Sequence, residues 1–274
     1  MKEYRVGVIQ LDTTADKEDN LRRIEALVKK AADDGARMVV LPEIMNVTSL
    51  DPEIAKPETI PGYSIDRMCK IAKSYDLWIH CGSIREQHMD GEKPCNTSVM
   101  VDPNGKIAAI YRKLHLFDVY MEKGPQIMES DMNSKGSEIV TLDTELGKLG
   151  FSLCYDMRFP ELYRLMALEG CQVLFAPANF TKPTGEMHWH TLLRARAIEN
   201  GCYVLAPGQC GQKPRFEAYG HSLIIDPWGH ILAEKESGEG LIMADIDLTQ
   251  VTKAREELGS LNNRRTDLYR LERI

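Results

Sequence analysis

Apolar and polar positions alternate in blocks along the first part of the chain. The run YRVGVIQL at 4–11 predicts a buried strand. Residues 18–34 then carry apolar side chains at three- and four-residue spacing, which indicates one helix face: Leu21, Ile24, Leu27, Val28 and Ala31. Gly35 suits the left-handed cap of that helix, and RMVVLPE predicts a short strand that Pro42 stops. A strand, a helix and a strand in this order form the unit that makes parallel neighbours.

The second part of the chain repeats this order. KLGFSLCY (148–155) predicts a strand, PELYRLMALEG (160–170) a helix, and CQVLFAPAN (171–179) a strand. A later helix then precedes a strand in both parts, at 63–75 before LWIHCGS and at 187–200 before CYVLAPG. Both parts continue with two apolar strands around an Asp-Pro-x-Gly turn, NTSVMVDPNGKIAAIYRK and YGHSLIIDPWGHILAE. The chain therefore consists of two related halves.

The two halves are expected to share one domain, because no Ser- or Gly-rich linker separates them. We predict a single α/β domain over residues 1–246, with two sheets and helices outside them. Residues 247–274 are predicted to form a C-terminal tail, packed on the domain or on a partner subunit. The tail carries apolar residues suited to such a contact: Leu261, Leu268, Tyr269 and Leu271.

Composition excludes some classes of partner. The 274 residues are 43% hydrophobic and 27% charged, which is typical of a globular protein. The net charge of −7 lacks the basic footprint that nucleic acids and anionic membranes require. No run of ~18 apolar residues predicts a membrane span. The N-terminus, MKEYRVGVIQLDTT, does not resemble a secretory signal, so we expect a cytoplasmic protein.

The cysteines and histidines do not form a metal-ligand pattern. Seven cysteines occur without any Cys-x-x-Cys pair, which favours reduced thiols over a zinc site or a redox pair. His188 and His190 would share a face only on a strand, and no further ligand lies beside them at metal-binding spacing. No metal and no cofactor are expected.

Three residues are candidates for chemistry. Cys154 ends an apolar run just before a predicted helix, at the kind of strand end where α/β proteins bind ligands. Free Cys is among the most buried residue types, so core filling is the competing interpretation. Glu43 follows VVLP, where a charge is costly unless it is paired or functional. Lys113 follows the apolar run IAAI, and its ammonium could stabilise a thiolate or an oxyanion.

Five blocks together resemble the nitrilase, or carbon–nitrogen hydrolase, superfamily. In chain order they are LPE with Glu43, YRKLHLFD with Lys113, GFSLCYDMRFPEL with Cys154, HWHTLLRARAIENGCYVLAPGQCG (188–211) and YGHSLIIDPWG (219–229). The resemblance covers essentially the whole chain. It implies a four-layer αββα sandwich with two mixed sheets related by internal pseudo-symmetry, and at least a homodimer. It also implies a Cys–Glu–Lys catalytic set with a further glutamate, which is Glu129 here.

The resemblance implies a thioester mechanism. Glu43 would accept the thiol proton while the Cys154 sulfur attacks an amide carbon. Lys113 and the Tyr155 N–H would stabilise the oxyanion, and Glu129 would position substrate or tune Lys113. Residues 179–189 are expected to form a pocket wall, with Asn179, Phe180 and Thr184 contacting substrate. His115 is the alternative proton acceptor, although a structural role is favoured for it.

Residues after the cysteine point to a substrate class. True nitrilases tend to carry Trp and Glu there, whereas Tyr155 and Asp156 resemble the amidase branch and its Nit subgroup. The implied substrate is a small anionic amide, a 2-oxo acid ω-amide or deaminated glutathione, with release of ammonia. An N-carbamoyl amino-acid amidohydrolase and a catalytically silent binding relative remain alternatives. Arg158, Lys182 and Arg215 are available for the substrate carboxylate, and none is assigned.

Overall fold

The computed structural model describes residues 2–87, 93–120 and 127–274. The first half of the described chain comprises β1 (Glu3–Gln10), α1 (Lys17–Asp33), β2 (Ala36–Val40), α2 (Tyr63–Tyr75), β3 (Trp78–His80), β4 (Ile84–Glu86), β5 (Cys95–Val101), β6 (Ile107–Arg112), β7 (Asp118–Val119) and β8 (Ile127–Met128). The second half comprises β9 (Thr141–Thr144), β10 (Gly147–Gly150), α3 (Pro160–Leu168), β11 (Val173–Phe175), α4 (Lys182–Asn200), β12 (Tyr203–Ala206), β13 (Cys210–Gln212), β14 (Glu217–Tyr219), β15 (Ser222–Ile225), β16 (Ile231–Lys235), β17 (Gly240–Asp247) and α5 (Leu248–Leu258).

Two large mixed sheets carry the fold. The first has the order β17-β1-β2-β3-β5-β4, and β6 also pairs with β5. The second has the order β16-β15-β12-β11-β10-β9. Strands β1, β2 and β3 are parallel, with β5 and then β6 added antiparallel. Strands β10, β11 and β12 are likewise parallel, with β15 and then β16 antiparallel. The predicted pseudo-symmetry between the halves is confirmed.

Three buried apolar clusters define the layers. One joins the two sheets face to face, and Val8 and Val40 of the first sheet share it with Phe175 of the second. A second cluster packs α1 and α2 against the outer face of the first sheet. A third packs α3 and α4 against the second sheet. The predicted four-layer αββα sandwich follows from these contacts, because each sheet buries both of its faces.

His80 lies in the interface between the sheets. Its ring packs against Phe175 and Phe151 of the second sheet, with ring centroids 4.3 Å and 5.5 Å apart. One ring nitrogen accepts from the Gly82 N–H, and the other lies 3.0 Å from the Ser98 hydroxyl. Complete burial lowers the pKa of His80 to about 3, so the ring is neutral in the folded protein.

The turn that presents Glu43 needs a glycine behind it. Gly82 has φ +53, and a Cβ there would collide with the carbonyl oxygens of Leu41 and Pro42. Ile44, the residue after Glu43, also has a positive φ of 53°. Close backbone approach and local strain therefore fix how the chain leaves β2.

Two boundaries differ from the sequence-based expectations. The strand predicted at 148–155 ends at Gly150, and Cys154 begins a 3₁₀ helix, Cys154–Arg158. The helix predicted from 187 begins at Lys182, because Pro183 fits the first turn of a helix. Residues after 246 form α5, whose Leu248 and Val251 are buried in the core between the sheets. Among the described residues, the helices lack the length and apolar character needed to cross a membrane.

Candidate active site

Cys154, Glu43, Lys113 and Glu129 meet at the floor of one cavity. The cavity has a volume of about 460 Å³, within the range of roughly 300–1,000 Å³ that is typical of small-molecule sites. Glu43 follows β2, Lys113 follows β6, and Cys154 follows β10, so the site draws on both sheets. Glu129 begins the 3₁₀ helix Glu129–Asp131. The structure thus brings together all four residues singled out by the sequence.

Glu43 is held by three hydrogen bonds. Its Oε1 accepts from Lys113 Nζ at 3.1 Å and from Asn96 Nδ2 at 2.8 Å. Its Oε2 accepts from the Asn179 backbone N–H at 2.7 Å. Glu43 is only 4% exposed, and these donors offset the cost of burying its charge.

Lys113 bridges the two carboxylates. Its Nζ donates to Glu129 Oε2 at 2.8 Å as well as to Glu43. Burial opposes the ammonium form, but the charges of Glu129 and Glu43 prevail and hold the pKa of Lys113 well above its usual value. Burial likewise opposes the carboxylate of Glu129, and Lys113 outweighs it, so the pKa of Glu129 is lowered. Both groups are charged at neutral pH.

The Cys154 thiol is neutral and lines the same cavity as Glu43. Burial raises the pKa of the thiol well above its usual value, and Glu43 raises it further, against the opposing charge of Lys113. A carboxylate in the same cavity as a neutral thiol can accept its proton when the sulfur attacks an electrophile. This environment therefore does not favour the low-pKa thiolate that is typical of redox cysteines.

A strained backbone presents the sulfur. Cys154 has φ +46, in the left-handed region that non-glycine residues rarely occupy, and its N–H donates to Pro177 O at 2.8 Å. The following Tyr155 N–H has no backbone acceptor among the described residues. It is therefore free to donate to a ligand oxygen beside the sulfur.

The predicted pocket wall lines the cavity. Tyr155, Asn179, Phe180 and Thr184 all contribute to the lining. Phe180 packs against the Trp189 ring at a centroid distance of 5.2 Å, and the Thr184 hydroxyl bonds the Thr181 hydroxyl at 2.7 Å. These contacts fix the wall at the start of α4.

Sequence reasoning missed four polar residues that position the site. Asn96 Nδ2 bonds Glu43 and lies 3.4 Å from Glu129 Oε1, and Asn133 approaches the same oxygen at 3.4 Å. Gln209 Nε2 donates to the carbonyl oxygen of Glu43 at 3.0 Å. Asp156 accepts hydrogen bonds both from the residue before Cys154 and from residues on either side of Lys113. Asn96 is followed by the polar residues Thr97 and Ser98, so it does not stand out in the sequence.

Asp156 is completely buried and accepts four hydrogen bonds. Oδ2 accepts from Tyr111 OH at 2.6 Å and from the Leu153 N–H at 2.8 Å. Oδ1 accepts from the His115 N–H at 3.0 Å and from His115 Nδ1 at 2.7 Å. Tyr111 and His115 flank Lys113 by two residues, so Asp156 fixes the lysine relative to the cysteine. The His115 ring stacks on the Phe159 ring with the ring centroids 3.6 Å apart, and His115 does not line the cavity.

The remaining cations and histidines occupy other places. Lys182 pairs with Glu217 at 2.9 Å outside the cavity. The Arg158 guanidinium lies over the rings of Phe180 and Tyr155, whereas Arg215 lines the cavity. Arg196 pairs with Glu199 at 2.9 Å and is buried, and its Nε also donates to Met157 O.

His190 belongs to a separate cluster away from the cavity. Glu234 Oε1 accepts from His221 Nδ1 at 2.7 Å and from His190 Nε2 at 2.9 Å. The ligand atoms of this trio lie within 4.8 Å of one another. Both nitrogen–oxygen distances are those of hydrogen bonds, which account for the cluster without an ion.

Comparison with known proteins agrees with this geometry. A family model described as carbon-nitrogen hydrolase matches residues 5–256. The chain is 38% identical over 276 residues to omega-amidase NIT2 of Mus musculus, covering 99% of both proteins. It is 38% identical over 271 residues to deaminated glutathione amidase of Bos taurus, covering 96% of this chain and 83% of the relative.

Solved structures share the fold. The NitFhit protein of C. elegans superposes with a TM-score of 0.93 at 35% identity, over 99% of this chain and 67% of that one. Saccharomyces cerevisiae Nit3, described as a member of branch 10 of the nitrilase superfamily, superposes with a TM-score of 0.84 at 32% identity, over 94% of both chains.

Proposed function

The chain belongs to the carbon–nitrogen hydrolase family and hydrolyses carbon–nitrogen bonds other than peptide bonds, and we propose that its substrate is a small anionic amide, a 2-oxo acid ω-amide or deaminated glutathione. One observation carries the proposed mechanism. Glu43, Lys113 and Cys154 line one cavity, and Glu43 accepts a hydrogen bond from the Lys113 ammonium there. That is the arrangement a cysteine nucleophile needs: a base on one side and a cation on the other.

The first half-reaction forms a thioester. Glu43 takes the thiol proton as the Cys154 sulfur bonds to the amide carbon, which converts the carbonyl to a tetrahedral oxyanion. Lys113 Nζ and the Tyr155 N–H donate to that oxygen. The oxyanion then collapses, the carbon–nitrogen bond breaks, and Glu43 returns its proton to the leaving nitrogen. The leaving group is ammonia when the substrate is a primary amide, and it is the amine of the peptide part when the substrate is deaminated glutathione.

The second half-reaction regenerates the thiol. Glu43 removes a proton from water as the water oxygen bonds to the thioester carbon, and the same donors hold the oxyanion. The carbon–sulfur bond then breaks, and the sulfur receives the proton from Glu43 as the acid departs. Glu129 holds Lys113 in place through the 2.8 Å ion pair, so we assign it a positioning role.

Relatives named omega-amidase and deaminated glutathione amidase support an amide as the substrate.

A panel of substrates tests this function. The unaltered protein is incubated with 2-oxo acid ω-amides, deaminated glutathione and N-carbamoyl amino acids. Release of ammonia is measured for the first and third groups, and new amino groups for the second. We expect turnover of a 2-oxo acid amide and none of N-carbamoyl compounds. Preferential turnover of N-carbamoyl compounds would replace the proposal, and no turnover of any amide would favour a silent relative.

We also propose a homodimer in the cytoplasm. Leu168, Ile198 and Leu258, on α3, α4 and α5, expose between 37% and 45% of their surface although they are large and apolar. A second copy of the chain would cover them, and sedimentation analysis tests this. All seven cysteines are free thiols, which supports a reducing compartment.

A further inference from the structure

The cavity holds more positive charge than its catalytic groups explain. Among the described residues, the acidic ones in the lining are Glu43 and Glu129, and both contact Lys113. Lys213 is also in the lining, and its Nζ forms an ion pair with Asp12 Oδ1 at 2.7 Å. Two guanidinium groups remain, those of Arg85 and Arg215, and neither pairs with a carboxylate among the described residues. This surplus points to an anionic ligand.

Arg85 projects from the strand next to the catalytic groups. Its Cα lies opposite that of Asn96 in the antiparallel pair β4–β5. Directly opposed residues of antiparallel strands present their side chains to the same face. The Asn96 side chain reaches Glu43 and Glu129, so Arg85 faces the cavity one strand further out, at a spacing of about 4.8 Å.

Most N–H donors of the Arg85 guanidinium have no hydrogen-bond partner among the described residues. Its one hydrogen bond to a described residue runs from Nη1 to the carbonyl oxygen of Ala55 at 3.1 Å. Burial lowers the pKa of Arg85, as expected for a cation that leaves water without gaining a counter-charge. A guanidinium offers five N–H donors and matches a carboxylate with two parallel bonds.

The other cations are less suitable. Lys182 and Arg158 do not line the cavity. Lys213 already bonds Asp12 and the Thr13 carbonyl oxygen. Arg215 lines the cavity but is exposed, so water screens its charge. Arg85 is half-buried, and its Cα lies opposite that of Asn96.

We propose that Arg85 binds the carboxylate on the acyl part of an anionic amide substrate. The inference rests on the proposed amidase function and assigns the anion site within it. When ammonia is the leaving group, the anionic group can only belong to the acyl part. The carboxylate held by Arg85 then fixes the distance from the acid end to the carbon that Cys154 attacks.

Matched substrates and variants test the assignment. Succinamate and glutaramate are compared with butyramide and valeramide, which have the same chain lengths but no carboxylate. The ratio of kcat/KM for acid over neutral amide is measured for the parent, Arg85→Gln, Arg85→Lys and Arg215→Gln. We expect the ratio to fall about 10–100-fold in Arg85→Gln, with partial retention in Arg85→Lys and little change in Arg215→Gln.

The neutral amides report on folding of the variant. If Arg85→Gln lowers kcat/KM for both members of a pair equally, the ratio is unchanged and the inference is overturned. Calorimetric titration with succinate separates this from failure of the proposed function, because binding requires no turnover. Succinate should bind Arg85→Gln at least about tenfold more weakly than the parent. Equal binding by the two proteins would overturn the anion site even if amides are hydrolysed.

Discussion

Replacing Asp156 by Asn should disable the enzyme without touching any group that contacts substrate. The Asp156 carboxylate accepts two hydrogen bonds on each oxygen, and each oxygen receives one of them from a backbone N–H. An asparagine side chain has one oxygen and one NH₂ group in the same space. Whichever way it is oriented, its NH₂ group faces the N–H of Leu153 or of His115, and neither N–H can accept.

The structure sets the magnitude of this effect. Tyr111 OH and the His115 ring can turn or change tautomer to accept from the new NH₂, but the backbone N–H cannot. One buried donor is left unsatisfied, at a cost of about 1–3 kcal/mol, and the remaining hydrogen bonds lose their charge assistance. We expect the free energy of unfolding to fall by about 2–4 kcal/mol. A displacement of 1 Å between Cys154 and Lys113 would lower kcat by about 100-fold.

Urea denaturation, steady-state kinetics and the rate of Cys154 alkylation by iodoacetamide would be measured for Asp156→Asn and Tyr111→Phe. Tyr111→Phe removes one hydroxyl and leaves both backbone N–H groups paired, so it should cost about 1 kcal/mol and change kcat much less. Parental kcat and alkylation rate in Asp156→Asn would refute the positioning role. An equal loss in both variants would show that the hydroxyl, rather than the backbone donors, is decisive.

Lys113→Met should lower kcat at least 100-fold, because an oxyanion donor is lost. It should also lower the free energy of unfolding, measured by urea titration, by about 3–5 kcal/mol, because Glu43 and Glu129 then stay buried without a counter-charge. Undiminished activity would contradict the oxyanion role. The pKa of His80 falls from 6.5 unfolded to about 3 folded, so stability should be lost as pH falls between these values, by about 1.4 kcal/mol per pH unit. Urea titrations at several pH values should show a shallower acid slope for His80→Gln, and an unchanged slope would refute this. Gly82→Ala should lower kcat about 100-fold by moving Glu43. Gly238→Ala is the control, because Gly238 also has a left-handed backbone but has open space around it. Equal effects of the two substitutions on kcat would contradict the steric argument.

Much of the fold could be predicted because its signals are local. The two strand–helix–strand series and the two Asp-Pro-x-Gly hairpins are visible as periodicity and turn residues, and their repetition indicates the pseudo-symmetry. The end of β10 at Gly150 could not be read in the same way. Residues 151–154 are as apolar as the strand before them, and the buried Asp156 carboxylate holds the turn that follows.

The residues of the site also differ in how clearly the sequence reveals them. Glu43, Lys113 and Cys154 stand at strand ends, where a polar residue after an apolar run is conspicuous. Asn96 and Asp156 have no such position, because their roles depend on partners 53 and 45 residues away. Arg85 does not stand out among the cations in the sequence, since only the pairing of β4 with β5 places it opposite Asn96.

Mass spectrometry of the intact protein tests the nucleophile most directly. The reaction with an amide substrate is quenched in acid during the first turnovers, and the protein is then weighed and digested. We predict an added mass equal to the acyl group, located on the peptide that contains Cys154, and no such adduct with Cys154→Ala. Turnover at the parental rate by Cys154→Ala, or an acyl group attached at another residue, would contradict a thioester at Cys154.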